Sequence, residues 1–290
     1  MDPTSRVTLE ILRYAAFTRE PAAGNPAGVV PDARRLSADD MLRIAAEVGF
    51  SETAFLTRTG DSAFDVRYFS PLAEVPFCGH ATVAAAIALV DHDVVPAGAE
   101  LAFATLAGPV VVRTGVDADG FATAKLTSVA TAQADVAPGD LDRALALLDW
   151  RADELDPAFP PKVAYAGAHH LVIAAASRER LTKLDYDMAG LRELMEQREW
   201  TTVHLVWQAS PTEFVARDPF PVGGVVEDPA TGAAAAAFGG YLRDLGLLEA
   251  PAVVTIYQGV DMGRPGRLTV EIPPGAGSGV RVSGNAVRMP

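Results

Sequence analysis

The chain has 290 residues, 49% hydrophobic, 21% charged and 7% aromatic, and a formal net charge of −13. That apolar content suits one large domain or two modest ones and argues against disorder. The acidic balance, with no cluster of Lys or Arg, makes nucleic acid and anionic membrane poor partners. A single cysteine excludes an intramolecular disulfide and any multi-cysteine metal site. The start MDPTSRVTLE lacks the apolar segment of a secretory signal. The longest apolar runs are also shorter than the roughly 20 residues that cross a bilayer. A cytoplasmic protein is expected.

In chain order, VTLEILRY (7–14) alternates polar and apolar residues and predicts a strand. SADDMLRIAAEVG (37–49) predicts a helix capped by Ser37, with acids in its first turn and a stop at Gly49. Strands follow at TAFLTR (53–58) and FDVRYF (64–69). The Pro-containing stretch FSPLAEVPFCGHAT (69–82) then leads into the helix ATVAAAIALV (81–90). LAFATL (101–106), PVVVRT (109–114) and TAKLTS (123–128) read as strands, and SVATAQADVAPGD (128–140) as a loop. DLDRALALLDW (140–150) and DMAGLRELMEQRE (187–199) read as amphipathic outer helices. The strands KVAYAG (162–167), HLVIAAA (170–176), TVHLVWQ (202–208) and EFVAR (213–217) surround the second of these. DPFPVGGVVEDPATG (218–232) then opens a second small-residue helix, AAAAAFGGYLRDLG (233–246). VVTIYQG (253–259), the turn GRPGRL (263–268) with its strand RLTVEIP (267–273), and VRVSGNAVRM (280–289) complete the chain.

The two small-residue helices differ from the others, because their first turns are apolar on every face. Such helices are buried all round, with sheet packed closely against them. Each follows strands and a Pro/Gly-rich turn, about 150 residues apart, which an internal duplication explains. The expected fold is α+β, with two pseudo-symmetric domains, each a barrel-like, mostly antiparallel sheet around one central buried helix. The expected domains are 1–118, with 278–290 returning to it, and 119–277.

If both central helices are buried, only their ends reach solvent, and their N-termini carry unpaired backbone N–H groups and the positive end of the dipole. Two such ends facing one cleft would hold a carboxylate without Lys or Arg. The backbone of Gly79, Ala81, Thr231, Gly232 and Ala233 would supply the contacts, although Gly79 and Gly232 also suit ordinary turns. Glu52, in GFSETAFL, is a carboxylate just ahead of an apolar strand. It reads either as a strand-end charge or as a partly desolvated acid tuned for proton transfer. His80 suits a titrating group or a capping histidine, and Asp228 suits a helix cap or a polar residue of the site. His169 and His170 are adjacent and would point to opposite faces of a strand. No HExxH, GxSxG or phosphate-loop motif occurs, so metal and nucleotide readings lack support.

The ordered motifs GNPAGVV (24–30), SETAFL (51–56), RYFSPLAEVPFCGHAT (67–82), EDPATGAA (227–234), GRPGRL (263–268) and VRVSGNAV (280–287) resemble those of the phenazine-biosynthesis-like (PhzF-like) isomerases. These are similar in fold to diaminopimelate epimerase. The resemblance implies an active site in the cleft between two domains and a cofactor-independent isomerase that shifts a proton and a double bond in a small carboxylate-bearing substrate. It places the acid/base glutamate on Glu52, neighbouring polar groups on His80 and Asp228, and substrate contacts on Asn25 and the glycines Gly79 and Gly232. It also implies no metal or organic cofactor, and it suggests a homodimer in a biosynthetic process. Cys78 falls where diaminopimelate epimerase-like enzymes keep one of two catalytic thiols, but the second position falls near Pro229, which cannot transfer a proton. A two-thiol racemase is thereby excluded, and Cys78 reads as a small buried filler. Where the family commonly has Ser-Ala-His, this chain has Ala233-Ala234-Ala235, which bears on the particular substrate. Two rival readings are an epimerase pairing Glu52 with Cys78 or Asp228, and a non-catalytic small-molecule binding protein of the same fold.

Overall fold

The computed structural model describes residues 9–290. Val7 and Thr8 of the first expected strand lie outside the described residues, and the strand itself is Leu12–Ala16. The chain divides into two compact units. The first contains Pro26–Ala124, Asn285–Pro290 and the segment that ends at Pro21; the second contains Ala22–Asn25 and Lys125–Gly284. These limits differ from the expected 118/119 and 278 because the strands Ala122–Thr127 and Arg281–Arg288 each run from one unit into the other.

In the first unit, Asn25–Val30 runs parallel to Glu52–Arg58, with Ala27 opposite Glu52. Glu52–Arg58 pairs antiparallel with Ala63–Phe69. That strand takes up the two-residue strand Glu74–Val75 antiparallel and Glu100–Thr105 parallel. A hairpin then joins Glu100–Thr105 to Gly108–Val116. The second unit repeats the order. His169–Ala174 runs parallel to Trp200–Ser210, which pairs antiparallel with Glu213–Pro219. Glu213–Pro219 takes up the short strand Glu227–Asp228 antiparallel and Ala252–Gln258 parallel, and the latter pairs antiparallel with Gly266–Ile272. The duplicated pattern of the sequence is therefore a duplicated pattern of strand pairing.

Each unit encloses one helix. In Gly79–Asp91 every residue from His80 to Leu89 is buried, against Leu12–Ala16, Glu52–Arg58 and Gly108–Val116. In Gly232–Asp244 every residue from Ala234 to Leu242 is buried, against Ala132–Asp135, Lys162–Tyr165, His169–Ala174 and Gly266–Ile272. Alanine and glycine dominate both because a helix ringed by strands has no solvent face and little radial room. The outer helices behave as amphipathic helices should. Ala38–Val48 lays Met41, Ile44 and Ala45 on Val30, Phe55 and Phe69. Its start is fixed by a capping box in which the Asp40 N–H donates to Ser37 Oγ (3.2 Å) and the Ser37 N–H donates to the Asp40 carboxylate (3.2 Å). Met188–Arg198 buries Leu191, Leu194 and Met195 against Leu171, Ile173, Val203 and Leu205.

One expected loop is structured. SVATAQADVAPGD contains the strand Ala132–Asp135, paired antiparallel with Lys162–Tyr165. Its side chains are mostly exposed, so it lacks the alternation by which a half-buried strand is recognised.

A test of the enclosure is available at Gly240. Alanine normally favours a helix over glycine by about 1 kcal/mol. Here a Cβ at position 240 would lie 2.6 Å from both Cβ and Oγ1 of Thr131. Thr131 cannot easily retreat, because its Oγ1 accepts from Arg243 Nη2 (2.7 Å) and its N–H donates to the Gly277 carbonyl (3.1 Å). Gly240→Ala should therefore destabilise the protein, by about 1–3 kcal/mol of overpacking, in urea denaturation. A stabilised variant would contradict the close packing.

Candidate active site

Within the first unit, three polar side chains converge at the mouth of the central helix. Glu52 is the first residue of its strand, and its side chain is 14% exposed. The neighbouring strand can lie this close only because position 28 is glycine, where a Cβ would sit 2.5 Å from Thr53 Oγ1. His80, in the first helical turn, brings Nε2 to 3.4 Å from Glu52 Oε2 and 3.4 Å from Ser51 Oγ. Cys78 is the N-cap, with extended angles (φ −144°, ψ 116°), and its Sγ lies 3.4 Å from His80 Nδ1 and 3.8 Å from Nε2. Within a regular helix residues i and i+2 do not meet; the extended cap lets Cys78 and His80 do so.

The Glu52 carboxyl is pushed above its ordinary value by desolvation, an effect opposed by hydrogen bonds from Ser51 and Cys78. Behind the N-cap, the Thr82 hydroxyl donates to the Cys78 carbonyl (2.6 Å) and shares a 2.6 Å hydrogen bond with the Tyr68 hydroxyl. Burial holds the Tyr68 phenol well above its ordinary value, so it stays a neutral hydroxyl. The atoms of Glu52, Cys78 and His80 that could ligate a metal all lie within 4.8 Å of one another.

In the second unit, Asp228 ends the short strand before the other central helix and is 6% exposed. Both carboxylate oxygens accept hydrogen bonds, Oδ1 from Asn25 Nδ2 (2.9 Å) and Oδ2 from the Thr231 hydroxyl (2.6 Å). Asn25 Nδ2 also donates to the Ala230 carbonyl (3.0 Å). Gln258, fully buried, donates to the Asp228 carbonyl (2.8 Å) and Thr231 Oγ1 (3.0 Å), while its Oε1 accepts from the Thr231 N–H (2.9 Å). Arg264, from GRPGRL, donates to the carbonyls of Gly24 (3.0 Å) and Ala23 (3.1 Å) and so holds the segment that carries Asn25. One residue before Asp228, Glu227 forms a bidentate pair with Arg217 at 3.0 and 2.5 Å.

The structure thus brings Glu52 and His80 together with Cys78, and Asp228 together with Asn25 and Thr231. Gly79 and Ala81 lie in the first turn of one central helix; Gly232 and Ala233 lie in the first turn of the other, behind the N-cap Thr231. The Thr231 N–H, expected to face a ligand, is instead committed to Gln258. Sequence reasoning missed Ser51, Gln258, Arg217 and the role of Arg264. Gln258 sits in VVTIYQG as an unremarkable strand end, and only the fold carries it to the helix N-terminus.

A family model described as phenazine biosynthesis-like protein matches residues 14–289. The chain belongs to the phenazine biosynthesis-like family. It is 35% identical to an uncharacterized isomerase of Deinococcus radiodurans, over 91% of this chain and 88% of that one. It is 31% identical to trans-2,3-dihydro-3-hydroxyanthranilate isomerase of Pseudomonas chlororaphis, over 94% of each chain. Among solved structures, a PhzF-family phenazine biosynthesis protein of Bacillus anthracis superposes with a TM-score of 0.89 at 25% identity, covering 97% of both chains. The curated relatives are named isomerases, and an isomerase or epimerase role follows for this family member. No helix among the described residues is long and apolar enough to cross a membrane.

The Arg217–Glu227 pair yields a stability prediction. Arg217 is 8% exposed and Glu227 6%, so Glu227→Ala would leave a guanidinium buried without its counter-charge. Breaking such a pair typically costs about 3–5 kcal/mol. Chemical denaturation of Glu227→Ala should show a loss of that size, whereas a loss within experimental error would mean that the pair does not hold the Asp228 strand.

Proposed function

We propose that the protein is a cofactor-independent isomerase in which Glu52 removes a proton from one carbon of a small carboxylate-bearing substrate and returns it to another, moving a double bond. The observation that carries this reading is a carboxyl raised by desolvation, hydrogen-bonded to Ser51 and Cys78 and within 3.4 Å of His80. A base must hold the proton briefly and give it back, which favours a pKa lifted toward the working pH. His80 then orients the Glu52 carboxylate and a polar group of the substrate.

Asp228 has a different part. With Asn25 and Thr231 each donating to one of its oxygens, it is a fixed acceptor that positions a substrate donor rather than a shuttle. Backbone N–H groups in the first turns at Gly79–Ala81 and Gly232–Ala233 favour the substrate's negative charge. The relative named trans-2,3-dihydro-3-hydroxyanthranilate isomerase supports the reaction class. Ala233 and Ala235 replace polar residues expected of the family and argue for a substrate with fewer polar contacts there.

The epimerase alternative with Cys78 as opposing base fits the geometry less well. Cys78 hydrogen-bonds the Glu52 side chain, and two groups so close cannot flank a substrate carbon from opposite faces.

Glu52→Gln keeps the size of the side chain but cannot accept the proton. Turnover should fall by about 10²–10⁴-fold, with folding and ligand binding retained. The readout is deuterium uptake at carbon from deuterated water into candidate carboxylates, followed by NMR. Label with bond migration supports the isomerase, label with inversion the epimerase, and binding without label a non-catalytic protein. Cys78→Ala should keep most of its turnover; a dead Cys78→Ala beside an active Glu52→Gln would make the thiol the base.

The pH dependence has a definite sign. The base must be deprotonated, so kcat/KM should fall as pH drops through the raised Glu52 pKa. The acid limb should therefore lie above the value of about 4.3 of an unperturbed glutamate. A limb at or below that value would assign the essential base elsewhere.

A further inference from the structure

We propose that Cys78, His80 and Glu52 form a binding site for a single zinc-like divalent cation. Two of the distances in the cluster are close to those between ligands around one metal. A tetrahedral zinc with sulfur at about 2.3 Å and nitrogen or oxygen at about 2.0–2.1 Å sets S and N about 3.6 Å apart, and N and O about 3.4 Å apart. Cys78 Sγ lies 3.8 Å from His80 Nε2, and Nε2 lies 3.4 Å from Glu52 Oε2. All three ligating atoms fall within 4.8 Å of one another.

The donor set selects the class of ion. A thiolate, an imidazole nitrogen and one carboxylate oxygen suit zinc and its neighbours, whereas magnesium and calcium need oxygen ligands in larger number. On binding, the metal–sulfur, metal–nitrogen and metal–oxygen bonds form, and the Cys78 thiol proton leaves to solvent, together with the Glu52 proton wherever that carboxyl is protonated; nothing is oxidised or reduced. Thiolate and carboxylate together neutralise the dication, and water supplies a fourth ligand. The site is held on rigid elements, with Glu52 starting a strand and Cys78 and His80 flanking the first turn of the enclosed helix. Zinc bound here is an antagonist, not a cofactor, since it consumes the electron pair with which Glu52 would take a proton. That consequence alone rests on the functional reading given above.

Cobalt(II) titration of the purified full chain tests the site directly. One equivalent should bind with a thiolate-to-cobalt charge-transfer band in the near ultraviolet and the intense visible spectrum of a tetrahedral ion, and zinc should displace it. Cys78→Ala should lose the band, and it and His80→Asn should each weaken zinc in chelator competition by more than about 100-fold, beyond the 10–100-fold of removing an outer-shell partner. Circular dichroism of each variant confirms that it is folded. Absence of the band in the unaltered protein, or undiminished zinc affinity in folded Cys78→Ala, overturns the proposal. Zinc inhibition of turnover is read separately. Binding without inhibition leaves the metal site standing and counts against Glu52 as the base, so the two ideas fail independently.

Discussion

The constraint on which the rest depends is that each unit encloses a helix with no solvent face. Along its length such a helix satisfies its own backbone and asks only for small side chains. At its N-terminus, however, the first-turn N–H groups have no intrahelical acceptor, and burial makes an unmet donor expensive. Polar side chains are therefore drawn to two places, the N-termini at Gly79 and Gly232. The chemistry collects where enclosure leaves the backbone incomplete.

The two ends meet this demand in opposite ways. In the second unit, Gln258 accepts from the Thr231 N–H, and Asp228 is tied to Asn25 and Thr231. Arg264 and the Arg217–Glu227 pair brace the segments on either side of that network. In the first unit the N-cap Cys78 places no side-chain hydrogen bond on the helix. Its sulfur turns instead toward His80, and Glu52 is left in a desolvated setting that favours its protonated form. A carboxylate with every oxygen engaged is a positioning group, whereas one raised by desolvation can exchange a proton. The repeated strand pattern thus presents two similar helix mouths, and different side chains give them different hydrogen bonding and electrostatics.

Much of this was legible in the sequence because it is written in local chemistry. All-round apolar first turns marked the two enclosed helices, Ser37 and Gly49 marked the ends of an outer helix, and the order of six motifs pointed to the family. What was not legible depends on long-range placement. The strand Ala132–Asp135 has no alternation because its faces are mostly exposed, and only its partner Lys162–Tyr165 defines it. Gln258 lies 27 residues from the N–H it satisfies, and Arg264 reaches back 240 residues to Gly24. The convergence of Cys78, His80 and Glu52 was not legible for a related reason. The spacing Cys-x-His implies side chains on different faces if the stretch is helical throughout, and only the extended N-cap at Cys78 makes them converge.

That same convergence decides what kind of residue position 78 can carry. A cap with a hydroxyl or carboxylate would fold back on the helix N–H groups and take part of the positive potential that an anionic substrate would use. A larger apolar side chain would crowd His80, which is 6% exposed. Cysteine is small, tolerates burial and makes only weak hydrogen bonds, so it fills the space without a side-chain cap on the first-turn N–H groups. The cost is chemical rather than steric. A thiol beside an imidazole and a carboxylate is a chelating set, so the small residue that spares the helix N–H groups also sets a soft donor beside His80 and Glu52.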